Sequence, residues 1–348
     1  MDQKLIATLS PYSTIILVGG WTGWHIQPIV SLTRHIKNTD IIPDFLWIGG
    51  SDSQEEKVAK EECIRFNSIP TLKLATTRSF KVLLYPIFMK LGCYKAWIIL
   101  RWIQDKNLCI FSKGWPGSVA IGIAAWSLWI PLYIHESDTI PGRSNRILGK
   151  FATKIFLGFE WAKKYFNSSK CEVIGQILDP VFRWESPDTQ YKIKWKTSKP
   201  HILVICGSQW SRAIFEWIIE QFSGNEEYEW IIALWKLNTN MQSEFNKISD
   251  CQALEWISQS DIVHLIQDTD TAITRWSATT LAELTSFSGS SIKLIIIPLP
   301  YSAGNHQYYN AREYQKIWHT LLEQQNLTEL ISILSNIIKH VWNRTENK

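Results

Sequence analysis

Short apolar runs rich in isoleucine, leucine and valine recur along the chain, separated by stretches with helical spacing. The runs cover residues 13–18, 45–48, 108–111, 132–135, 154–157, 201–206, 229–234, 270–274 and 293–298, and each ends near Gly, Ser or His. Between them, residues 26–36, 119–128, 211–222, 279–286 and 310–322 read as helices. Near-continuous apolar strands alternating with helices predict parallel α/β sheets covered on both faces. Residues 182–200 are polar and aperiodic, and the strand HILVICGS follows at once. The domain junction is placed there, giving units 1–181 and 182–328. Two doubly wound, Rossmann-like halves put a ligand cleft at the carboxyl ends of their strands. A last helix, 329–342, suits either half. No internal repeat or low-complexity tract stands out.

The N-terminal 20 residues carry an acid at position 2 and a short apolar run ending in Gly19-Gly20, which reads as a first strand and not a signal peptide. No stretch reaches the roughly 18 uncharged apolar residues of a spanning helix. The nearest, residues 80–102, is interrupted by Lys81, Lys90, Lys95 and Arg101, and Pro86 predicts a kink. It reads either as a pair of core helices or as an in-plane apolar patch with a basic fringe facing anionic lipid.

Composition narrows the class. The 348 residues, 45% hydrophobic and 20% charged, exclude a disordered chain or a small stapled scaffold. A net charge of +4, from 36 basic and 32 acidic residues, argues against a nucleic-acid partner. Six scattered cysteines without a CxxC pair fit free thiols in a reducing compartment, with no zinc site.

The candidate chemistry sits where strands end. Gly19-Gly20-Trp21-Thr22-Gly23-Trp24-His25 joins the first strand to a helix, a place where backbone N–H groups can meet an anion. His25, near the positive end of that helix, suits a general base kept neutral. A second such turn is Ser112-Lys113-Gly114-Trp115-Pro116-Gly117-Ser118. A third strand end carries His135-Glu136-Ser137-Asp138, followed by Pro141-Gly142 and Asn145. In the second half, Gly207-Ser208-Gln209-Trp210-Ser211 offers another cradle, and Arg275-Trp276-Ser277 opens a helix bearing Glu283. Gly304-Asn305-His306-Gln307 adds side chains suited to sugar hydroxyls. No GxxxxGK[ST] loop is present, which argues against nucleotide hydrolysis.

Together these segments resemble the bacterial cell-wall N-acetylglucosaminyltransferases of the MurG type, from Ile16 to about Thr328. The most specific pieces are GGWTGWHIQP, the SKGWPGS to FATKI block, CGSQWSR and GNHQYYNAREYQK. The resemblance implies a two-domain glycosyltransferase-B fold and a hexosyltransferase of peptidoglycan synthesis. The enzyme would be peripheral at the cytoplasmic face of the membrane, with no cofactor and no metal. Its donor would be UDP-N-acetylglucosamine and its acceptor undecaprenyl-diphosphate-linked muramoyl-pentapeptide. It implies donor contacts at Thr22, Gly23, Trp24, Asp138, Ser208, Gln209, Ala278, Thr279, Thr280, Leu281, Ala282, Glu283, His306 and Gln307. It implies acceptor contacts at Gly20, Thr22, His25, Lys113, Gly114, His135 and Glu136, with His25 as the catalytic base. The family's arginine after its GNP-type element is missing, because Gly175-Gln176-Ile177-Leu178-Asp179 stands there. Other readings on the same fold are a diacylglycerol glycosyltransferase, a UDP-N-acetylglucosamine epimerase, or an inactive scaffold.

One count is abnormal: 19 tryptophans against 17 glycines, with glycine below its usual level of roughly 7%. Trp21, Trp24, Trp115, Trp129, Trp210, Trp235 and Trp318 fall where the family pattern has or accepts glycine, and Trp276 lies in a small-residue turn. Trp126 matches the family's own tryptophan. An indole in a phosphate-cradling turn fills the space of the ligand. The favoured reading is that UGA codons decoded as glycine have been rendered as tryptophan; the alternative is a diverged, inactive relative.

Overall fold

A computed structural model of the chain describes residues 3–20, 23–39, 41–71, 84–103, 105, 107–182, 192–207, 211–275, 277–287, 292–299 and 305–345. The chain divides into two compact units, Met1–Pro180 and Val181–Lys348.

In the first unit the elements are α1 (Gln3–Leu9), β1 (Thr14–Val18), α2 (Gly23–Lys37), β2 (Asp44–Gly49), α3 (Gln54–Glu61), β3 (Arg65–Ser68), α4 (Tyr85–Trp102), β4 (Leu108–Ser112), α5 (Ser118–Ser127), β5 (Leu132–Glu136), α6 (Arg143–Phe151), β6 (Lys154–Leu157) and β7 (Cys171–Val173). The strands form a parallel sheet in the order β3-β2-β1-β4-β5-β6-β7. Successive side chains of a strand point to opposite faces. Ile16 and Val18 therefore join one core with Ala96, Leu100, Ile121 and Leu148. Ile15 and Leu17 join another with Leu5, Leu9, Ile29 and Trp47. Two cores explain why all five residues of β1 are buried and why the run reads as uninterruptedly apolar.

The second unit contains β8 (His201–Ile205), α7 (Arg212–Phe222), β9 (Glu229–Ala233), α8 (Gln242–Phe245), β10 (Cys251–Leu254), α9 (Gln259–Leu265), β11 (Thr271–Thr274), α10 (Ala278–Leu284), β12 (Lys293–Ile296), α11 (His306–Gln315), β13 (Thr320–Leu321) and α12 (Leu330–Thr345). Its parallel sheet runs β10-β9-β8-β11-β12-β13. Leu330 and Leu334 bring α12 into the core of this unit, beside Phe215, Phe222 and Trp230.

Three expectations need correction. Pro86 does not kink a helix: it sits in the first turn of α4, where its missing N–H costs nothing. Within 84–103 there is one helix and not a pair. The helix expected over 310–322 ends at Gln315, and Thr320–Leu321 pairs with β12 instead. The chain turns at Trp318, where φ is +117°.

Trp47 ties the fold to the loops above it. It is fully buried on β2, and its Nε1–H donates to the Gly19 carbonyl at 2.9 Å. Trp47→Ala is expected to cost the first unit about 3–5 kcal/mol, and Trp47→Phe less, in denaturant unfolding. Equal effects of the two would show that the ring's bulk carries no weight there.

Candidate active site

In a doubly wound sheet, ligands bind outside the carboxyl ends of the strands where the strand order reverses. In the first unit that point lies between β1 and β4. β1 leads into Gly19-Gly20 and β4 into Lys113-Gly114, and the Lys113 N–H donates to the Val18 carbonyl at 2.9 Å. The space around these turns is already filled. A Cβ on Gly20 would stand 2.3 Å from Oε1 of Glu55, whose carboxylate accepts the Gly50 N–H at 3.1 Å. Gly114 has φ +78°, and a Cβ there would meet Asn145 Oδ1 at 2.5 Å. Gly114, at positive φ, needs a bare Cα, whereas a Cβ at Gly20 would displace the Glu55 carboxylate.

His25, on the first turns of α2, faces this point. Its Nδ1 lies 3.1 Å from the Lys113 carbonyl. A carbonyl only accepts, so Nδ1 carries the proton and Nε2 presents its lone pair. Burial and the nearby Lys113 charge lower the pKa of His25 from 6.5 to about 4, against weaker opposing effects of the Lys113 hydrogen bond and Asp138. The ring is neutral at pH 7.

Beneath it lies a buried polar cluster. The Lys113 ammonium donates to His135 Nδ1 at 2.5 Å and to the Ser137 hydroxyl. An ammonium has no lone pair, so His135 is protonated at Nε2, which donates to the Gly175 carbonyl at 2.9 Å. Glu136 accepts from the N–H of Asp138 at 2.9 Å, the N–H of Gly142 at 3.2 Å and Asn145 Nδ2 at 2.9 Å. Burial drives the Lys113 pKa down and the Glu136 pKa up, and holds His135 well below its ordinary value. Lys113, His135 and Glu136 are thus turned inward. They shape the loops that reach the switch point.

In the second unit the switch lies between β8 and β11. β8 leads to Cys206-Gly207, and β11 to Arg275. Ser277 caps α10, its hydroxyl accepting the Thr280 N–H at 3.3 Å. Ala278 and Leu281 face the core, whereas Thr279, Thr280, Ala282 and Glu283 are half-buried. Gln307 is buried, and its Oε1 accepts the Leu299 N–H at 2.8 Å, so it holds the loop after β12. Thr22, Ser208 and Gln209 lie outside the described residues, as do Trp21, Trp210 and Trp276 and the side chains of Trp24 and His306, while Gly23 opens α2.

Two residues gain a role that sequence reasoning did not assign. Glu55 is fully buried under Gly20 and Gly50. Its sign in the sequence was faint, an acid in the first turn of a short helix. Arg275 is 3% exposed; one amino group donates to Gln324 Oε1 at 2.7 Å, while Nε and Nη1 have no acceptor among the described residues. A buried guanidinium with spare donors is costly unless an anion completes it.

The chain matches the glycosyltransferase family 28 N-terminal domain over residues 15–157 and the family 28 C-terminal domain over residues 201–348. It is 26% identical to a UDP-N-acetylglucosamine--N-acetylmuramyl-(pentapeptide) pyrophosphoryl-undecaprenol N-acetylglucosamine transferase of a Sulfurihydrogenibium species, over 95% of this chain and 90% of that one. It is 30% identical to the Coxiella burnetii protein of the same name, over 86% and 81%. In fold it is similar to the crystal structure of Acinetobacter baumannii MurG, with a TM-score of 0.72 and 19% identity, covering 94% of this chain and 92% of that one. A Neisseria meningitidis UDP-GlcNAc 2-epimerase shares the fold at a TM-score of 0.58 and 12% identity, covering 94% and 93%.

NMR titration of His25 is expected to give a midpoint near 4, moved upward by Lys113→Met, which removes the opposing charge. Between 6.5 and about 4 the unfolded chain binds the proton that the folded chain refuses, so stability falls as pH falls through that window. A His25 midpoint that ignores Lys113→Met contradicts this electrostatic reading.

Proposed function

The chain belongs to glycosyltransferase family 28, and from that premise we propose that it transfers N-acetylglucosamine from UDP-N-acetylglucosamine to the C4 hydroxyl of undecaprenyl-diphosphate-linked muramoyl-pentapeptide. The observation that carries this is the likeness, across both domains, to relatives named for that transfer.

The reaction is a single inverting displacement. The acceptor oxygen attacks C1 of the donor sugar, the bond from C1 to the UDP oxygen breaks, and the hydroxyl proton passes to His25 Nε2. The hydrogen bond to Lys113 sets that tautomer. A pKa near 4 makes a weak base, but an arriving diphosphate brings negative charge that raises it toward the working range. UDP departs with its charge met by fixed dipoles and cations: the first N–H groups of α10 and the spare donors of Arg275. Glu136 and Asn145 act as positioning residues for the loop after β5.

An acceptor with a polyprenyl tail stays in the bilayer, so the enzyme works at the cytoplasmic face of the membrane. Among the described residues no helix is long and apolar enough to cross one. The surface that suits lipid is α4. Gly92, Ala96 and Leu100 face the core, while Leu84, Ile87, Leu91 and Tyr94 are exposed beside exposed Lys90, Lys95 and Arg101.

His25→Ala is expected to lower turnover about 10²–10⁴-fold, with little change in acceptor KM, measured with labelled donor and lipid-linked muramoyl-pentapeptide. Near-normal turnover would remove His25 from the base role. Ile87→Glu with Leu91→Glu is expected to abolish sedimentation with anionic vesicles; undiminished sedimentation counts against α4 as the lipid-facing surface.

A further inference from the structure

Seven non-glycine residues have positive φ among the described residues, and three of them are tryptophan: Trp129 (+59°), Trp235 (+57°) and Trp318 (+117°). Tryptophan makes up only 19 of 348 positions, so this share is far above what its abundance supplies. Three others, Asp52, Asp250 and Asn305, are of the types that visit this region with help from a short polar side chain. A bulky bicyclic residue has no such help.

The surroundings name the residue each site wants. After α5, the Trp129 N–H donates to the Trp126 carbonyl at 3.2 Å and the Ile130 N–H to the Ala125 carbonyl at 3.0 Å. After α11, the Trp318 N–H donates to the Gln315 carbonyl at 3.2 Å and the His319 N–H to the Tyr314 carbonyl at 3.4 Å. Each pair is the two-hydrogen-bond signature of a Schellman helix end, whose left-handed residue is usually glycine. Cys63 occupies the same place after α3, with a far smaller side chain. Packing offers no compensation at Trp129, whose side chain is 91% exposed. Trp235 begins the turn after β9, and its Nε1 is buried with no acceptor among the described residues. Trp47 and Trp195 are of another kind. They have ordinary φ, and their Nε1 groups donate to the carbonyls of Gly19 and Leu265.

We infer that the polypeptide made in the cell carries glycine at positions 129, 235 and 318, encoded by UGA, a codon that some genetic codes assign to tryptophan and others to glycine. On the sequence pattern alone the inference extends to 21, 24, 115, 210 and 276. Trp115 shows what an indole does there: it is buried against Gly117, where an added Cβ would lie 2.0 Å from the ring. With glycine at 115, that volume opens beside Gly114 and Gly50.

The coding DNA and the peptide masses of the protein from its own cells test this together. UGA codons and glycine masses at 129, 235 and 318, with UGG and tryptophan at 47 and 195, are the expected result. UGG codons or tryptophan masses at the three positions overturn it. In the chain expressed with tryptophan throughout, Trp129→Gly is expected to raise the melting temperature, since it relieves the backbone and removes no packing; an unchanged or lowered value overturns the backbone argument.

Discussion

The first unit depends on two chain reversals that pass their neighbours at closest contact: Gly19-Gly20 after β1 and Lys113-Gly114 after β4. Each is held from below. Trp47 binds the Gly19 carbonyl, Glu55 fills the space under Gly20, and Asn145 stands against Gly114. With the turns pinned there, the Lys113 carbonyl reaches His25 and sets its tautomer. The buried ammonium, imidazole and carboxylate behind it are tolerated because each has hydrogen-bond partners. The site is therefore a consequence of how tightly the backbone turns at the sheet's switch point.

Much of this architecture was legible in the chain. Parallel strands covered on both faces are apolar at successive positions, so β1, β4, β8 and β9 announced themselves. The short edge strand β3, Arg-Phe-Asn-Ser, is half exposed and carries almost no apolar signal, so it did not. The overrun of α11 has a specific cause. Ile317, Leu321 and Leu322 continue a helical spacing, while the left-handed turn at Trp318 ends the helix. A residue that stands in for glycine hides the stop signal that glycine would give.

The site was legible in part. Glycine-rich turns and a histidine at a helix start marked the switch point of the first sheet. What could not be read was direction. Lys113, His135 and Glu136 sit in segments at the strand ends, yet their side chains point into the fold, because contacts such as His135 to Gly175 join residues far apart in sequence. The same holds for Glu55 under Gly20 and for Arg275, whose burial is set by neighbours that periodicity does not identify.

Under the proposed function the glycine-rich segments after the strands would close on phosphate, a demand on residue type that tryptophan does not meet. Isothermal titration of UDP-N-acetylglucosamine tests this most directly, comparing the chain as written with one carrying Trp21→Gly, Trp24→Gly, Trp115→Gly, Trp210→Gly and Trp276→Gly. Binding that is weak with tryptophan and restored with glycine is the predicted result. Equal binding by the two chains would contradict it.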